Sequence, residues 1–74
     1  LIRVGETINI HGQEIYIRDI TSSNVLIDVM GVILKERIQE SKSKKFDNIE
    51  ISNIKLFPKG SKIDSYAIIK IEKI

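Results

Sequence analysis

The stretch VGETINIHGQEIYIRDI, Val4 to Ile20, decides the fold. Its first part sets Ile8 and Ile10 on one side of an extended chain and Thr7 and Asn9 on the other. That alternation marks a half-buried antiparallel strand from Val4 to Ile10. His11-Gly12-Gln13 then supplies a turn, with Gly12 free to take a positive φ, and Glu14 to Ile20 returns with Ile15 and Ile17 inward. The period slips at the end, because Ile20 lies three residues after Ile17 rather than two. A phase change of one residue within an apolar strand predicts a β-bulge or a strand end at Arg18-Asp19.

A paler copy follows. Val4-Gly5-Glu6-Thr7 aligns with Ile38-Gln39-Glu40-Ser41, and Ile15-x-Ile17-x-x-Ile20 recurs as Ile49-x-Ile51-x-x-Ile54, with the same slip. Asp47-Asn48 takes the place of the first turn, since both residue types tolerate left-handed backbone. In the first half the polar cluster Thr21 to Asn24 leads into a strand with Val25, Ile27 and Val29 on one face. In the second half the longer Pro58-Lys59-Gly60-Ser61 loop leads to Ser65–Ile71, with Ala67, Ile69 and Ile71 on one face. Between the halves, Val32 to Lys42 has an apolar set that soon runs out at helical spacing, so a strand is favoured over one or two helical turns.

The expectation is one domain over residues 1–74, with pseudo-repeat halves at about 1–37 and 38–74. Its fold class is all-β: a six- to seven-stranded antiparallel β-sandwich, or a partly open barrel, with an internal two-fold pseudo-repeat. Seventy-four residues leave no room for a second domain. With no Cys, packing alone must hold the fold, and the abundant Ile suits a pleated surface. No apolar run approaches the roughly 20 residues of a membrane-spanning helix. The chain opens on Leu1 rather than Met, which predicts a processed or excised piece of a longer protein.

The net charge of +2 is small but uneven: Leu1 to Arg37 carries four basic and five acidic residues, Ile38 to Ile74 eight and five. All eight are Lys, the weaker form of a nucleic-acid signal, because Arg makes the bidentate contacts. Solvated strand faces that discourage edge pairing explain them better.

No catalytic, cofactor-binding or metal-ligating set is expected. His11 has no Ser, Cys or paired carboxylate near it in sequence and reads as a turn residue. Asp19, Asp28, Asp47 and Asp64 fall one to a segment, without the crowded spacing of a calcium loop. Gly5, Gly12, Gly31 and Gly60 stand singly, as turn residues do, rather than as a phosphate-cradling cluster. Tyr16, Tyr66, Phe46 and Phe57 are too few for a base-stacking platform. The remaining candidate is the last strand, SYAIIKIEKI, where apolar residues occupy both phases. With Ala67, Ile69 and Ile71 inward, the partner interface is expected at Tyr66, Ile68 and Lys70.

Two families share parts of this pattern. VGETINI, EIYIRDI and NVLIDV resemble the first three strands of the carbon storage regulators, small swapped dimers that bind messenger RNA. That likeness spans residues 1–29 and stops at MGVILKERIQESK; the family's N-terminal Arg falls on Ile2, and of its RNA-contacting positions only Arg37 has a counterpart. Nearly the whole chain is similar to the small repeated β-modules of archaeal cell-surface and S-layer-like secreted proteins. The residues are Val4-Gly5-Glu6, Gly12, Ile15 to Ile20, Glu40-Ser41 through Phe46, Ile49 to Ile54, and Tyr66-Ala67-Ile68-Ile69, with Gln39 where a second Gly is usual.

The second resemblance implies a non-enzymatic structural or interaction module of a cell-surface or extracellular filament or lattice, assembling through sheet edges. Its partners would be copies of itself or neighbouring domains of a larger surface protein, with no small-molecule substrate or cofactor. The first resemblance implies a cytoplasmic RNA-binding protein.

Overall fold

The irregular Ile spacing becomes a bulged strand. In the computed structural model, which describes residues 1–33, 37–61 and 63–74, β2 (Thr7–Ile10) and β3 (Gln13–Ile20) form a hairpin closed by Ile10 opposite Gln13. His11 and Gly12 both have positive φ, 51° and 78°, which gives the turn a twist that matches the strands it joins. Ile17 faces Ile27 and Asp19 faces Leu26 on β4 (Asn24–Val29), so Arg18 is the extra residue of a bulge. The insertion returns Ile20 to the interior, as its spacing predicts.

The second half repeats this arrangement with β7 (Ser43–Phe46), β8 (Ile49–Phe57) and β9 (Tyr66–Lys73). The repeat, however, runs at an offset of thirty-six residues, and the thirty-four read from the Ile pattern is corrected. Gly5 N–H donates to Ile17 O at 2.8 Å and Ser41 N–H to Asn53 O at 2.7 Å. Ile17 N–H donates to Glu6 O and Asn53 N–H to Lys42 O, both at 2.9 Å. Asn53, not Ile51, is therefore the counterpart of Ile17, and the extra residue of the second bulge is Ile54, between Asn53 opposite Ile69 and Lys55 opposite Ile68. Ile54 is 48% exposed rather than inward, and Leu56 takes the buried place that Ile20 holds in the first half.

The leading segments trade places. Gly5 and Ser41, with φ of 92° and 66°, turn the chain away from its own hairpin. The first strand is thereby split: β1 (Ile2–Arg3) joins β9 through Ile2 opposite Ala67, and β6 (Ile38–Gln39) joins β4 through Ile38 opposite Val25. One sheet runs β1-β9-β8-β7; the other runs β2-β3-β4-β5, with β5 (Val32–Ile33) hairpinned to β4 and β6 also on β4. The described residues thus form nine short strands in two packed antiparallel sheets, a β-sandwich with more strands than the six or seven expected. Of Val32 to Lys42, Val32–Ile33 form β5 and Ile38–Gln39 form β6, while residues 34–36 lie outside the described residues.

Between the sheets lie Ile15, Ile17, Ile20, Val25, Ile27 and Val29 from one side and Ile49, Ile51, Leu56 and Ala67 from the other. Ile2 and Ile38, carried by the exchanged segments, join the same core. The two hairpin turns touch: Gln13 Nε2 donates to Asn48 Oδ1 at 2.8 Å, and Asn48 Nδ2 donates to His11 O at 3.2 Å. No helix among the described residues is long and apolar enough to cross a membrane.

Candidate functional site: the outer face and open edge of the last strand

Among the described residues, the exchanged segments meet the two inner strands as follows. On β4, Asn24 and Val25 pair with β6, and Asp28 and Val29 pair with β5. On β9, Tyr66 and Ala67 pair with β1, and no described strand continues along that edge beside Ile68 to Lys73. Ile74 N–H donates to Asn48 O at 2.8 Å, toward β8. Successive residues of a strand point their backbone groups to opposite sides, so the N–H and C=O of Ile69, Ile71 and Lys73 point to the open edge. A row of backbone donors and acceptors that no described strand meets is a template for another strand, from residues ahead of Leu1 that continue β1 or from another chain.

Tyr66, Ile68 and Lys70, the interface residues expected from the sequence, lie in one row on the outer face of β9, continued by Glu72. Tyr66 is half-buried because it stacks on Phe57, directly opposite it on β8, with centroids 4.6 Å apart and planes 16° from parallel. Arg3 and Lys59 stand over the Tyr66 ring at 5.7 and 5.8 Å, and Lys55 over Phe57 at 5.9 Å. Cations at this range are attracted by the ring faces and remain available to an anionic group. Ile68 is 38% exposed, and Lys70 Nζ pairs with Glu72 Oε1 at 3.4 Å.

Elsewhere the side chains serve the fold. His11 occupies the turn, and its carbonyl is held by Asn48. Asp28, nearly buried, takes Arg18 Nε at 3.1 Å, which fastens the bulge residue to the neighbouring strand. Among the described residues no three His, Cys, Asp or Glu side chains gather as a metal site.

The sequence reading missed Asn53. It is fully buried, with Nδ2 donating to Ile38 O at 3.0 Å and Oδ1 without a hydrogen-bond partner. Its signal was the strict alternation Ile49, Ile51, Asn53, which places it inward.

With this geometry in view, comparison with known proteins yields no match to a family model, to a curated protein or to a solved structure.

Proposed function

We propose that this chain is a non-enzymatic structural or interaction module that assembles through its β-sheet edges. The observation that carries this reading is the mixed row on the outer face of β9, where the exposed Ile68 lies between Tyr66 and Lys70 on a strand whose edge from Ile68 to Lys73 no described strand covers. The likeness of the chain to repeated modules of cell-surface proteins supports a place in an extracellular filament or lattice, next to copies of itself or neighbouring domains.

Lys73→Pro tests the edge. Lys73 points its N–H outward, so Pro there removes no bond to β8, and an edge strand tolerates it. Electron microscopy and sedimentation of concentrated protein should show assemblies that Lys73→Pro reduces to monomers. Assemblies indifferent to the substitution would sink the reading.

A second reading, binding of RNA, is favoured by one observation: Arg3, Lys55 and Lys59 ring the Phe57–Tyr66 stack. A binder that makes several phosphate contacts loses affinity steeply with salt. Titration of single-stranded RNA at low and moderate salt, with Lys55→Ala/Lys59→Ala as the variant, decides it; no binding at low salt removes it.

A further inference from the structure

We propose that Arg3, Lys55 and Lys59 form a binding site for an acidic polysaccharide, a linear polymer that carries carboxylate or sulfate groups. The site lies at the Tyr66 end of β9 and does not depend on assembly through the strand edge.

The row that builds it follows from register. Phe57, Tyr66 and Arg3 stand directly opposite one another on β8, β9 and β1. Their side chains share the outer face, so the Tyr66 ring has Phe57 on one side and the Arg3 guanidinium on the other. Lys55 stands over the Phe57 ring and Lys59 over Tyr66. The loop between β8 and β9 brings Lys59 there. Its N–H donates to Ser65 Oγ at 2.9 Å, and the buried Ser65 donates in turn to Ser61 O at 3.1 Å. All three cations are exposed, and among the described residues none pairs with a carboxylate. Three positive charges thus gather at one end of a sheet face without a counter-charge. Residues ahead of Leu1 would continue β1 beside Ile68, away from this row.

The geometry selects the ligand class. A single-stranded nucleic acid draws much of its affinity from bases stacked on aromatic faces. Here the faces of Phe57 and Tyr66 are occupied by each other and by the cations, so what a ligand meets is charge. A small ligand needs a concave site that buries most of it, whereas this row lies on the open face of a sheet. From Phe57 to Arg3 it spans two inter-strand spacings, about 10 Å. Cations spaced along such a line fit a polymer whose anionic groups recur along its length. Each contact is weak, and together they gain from the release of counterions. The rings hold the cations in place before binding, which lowers the ordering cost that long side chains impose. Arg3 adds a planar fork that can grip a carboxylate or sulfate through two hydrogen bonds.

Titration calorimetry with heparin, which bears both sulfate and carboxylate groups, tests the site. Heparin should bind at low salt and weaken steeply as salt rises. Lys55→Gln/Lys59→Gln should lose about tenfold or more in affinity, and adding Arg3→Gln should leave no measurable binding. Lys42→Gln/Lys45→Gln removes the same charge from exposed positions at and just before β7, and should change affinity by less than about twofold. Tyr66→Leu keeps every cation but removes the ring between them, and should cost about threefold or more. Melting of each variant confirms that it still folds.

Absence of heparin binding at low salt overturns the proposal. Equal weakening by Lys42→Gln/Lys45→Gln also overturns it, because adhesion then follows net charge alone. Polyuridylate that binds more tightly than heparin, at equal charge concentration and salt, overturns the polysaccharide and leaves the RNA reading standing. None of these outcomes touches sheet-edge assembly, which Lys73→Pro tests by sedimentation with no polysaccharide present.

Discussion

Ile17 and Asn53 occupy the same place in the two halves of the molecule. Each takes an N–H from a positive-φ residue two positions ahead of its hairpin, Gly5 or Ser41, and each is followed by the extra residue of a bulge. One position is filled by a hydrocarbon and the other by an amide in the same dry interior. The amide satisfies Ile38 O but leaves its own Oδ1 without a partner.

Asn53→Ile should therefore stabilise the fold. The exchange loses one hydrogen bond, worth about 1 kcal/mol, and removes an unpartnered buried oxygen that costs about 1–3 kcal/mol while adding apolar burial. A gain of about 1 kcal/mol is expected, read as a higher urea midpoint with an unchanged slope. A loss would show that the bond to Ile38 O is what holds β6 against the second sheet.

The backbone at Gly5 and Ser41 gives a second test. Both have left-handed φ, and an L side chain there costs about 1–2 kcal/mol. Gly5→Ala should lower the melting temperature even though open space surrounds its Cβ position. Ser41→Gly should raise stability by about 0.5–1 kcal/mol, the strain removed being partly offset by the greater freedom of glycine in the unfolded chain.

Met30 tests the turn between β4 and β5. It has φ of 53° ahead of Gly31 at 80°, and its side chain is 61% exposed, so little packing is lost on replacement. Met30→Asn should stabilise the hairpin by about 0.5 kcal/mol, because Asn tolerates that conformation best among residues with a side chain. Its measure is the thermal midpoint against Met30→Val, which should fall.

Ile51→Ala probes how much the small core can lose. Ile51 is fully buried in the first half of β8, and truncation of such a residue costs about 2–5 kcal/mol. The stability of a domain this size is itself only about 3–5 kcal/mol. Circular dichroism at 25 °C should show a largely unfolded population, whereas Ile54→Ala, three residues on at the exposed bulge, should remain folded.

The Arg18–Asp28 pair joins a half-exposed guanidinium to a nearly buried carboxylate. Removing the cation leaves Asp28 short of a partner, so Arg18→Met should cost about 1–2 kcal/mol. A double-mutant cycle with Asp28→Asn should show coupling of about 0.5–1 kcal/mol that shrinks as salt rises.

Local rules made much of this molecule legible. The alternation in Thr7–Ile10, Val25 to Val29 and Ala67 to Ile71 named the inward faces, and the three-residue step from Ile17 to Ile20 marked a bulge or strand end at Arg18-Asp19, which is a bulge at Arg18. Each of these is a matter of period two and of neighbours in the chain, which sequence carries directly. The second bulge was misplaced for an equally local reason: Ile54 repeats the spacing of Ile20, although hydrophobicity there marks an exposed extra residue.

By itself, then, the sequence determined the all-β character, the hairpins, the first bulge and the division into two similar halves. The tertiary structure decided the offset of the repeat, the exchange of β1 and β6 between sheets and the burial of Asn53. These depend on which distant strands share hydrogen bonds. A strand of a given period can satisfy its backbone against several partners, and only simultaneous packing of both Ile faces selects among them.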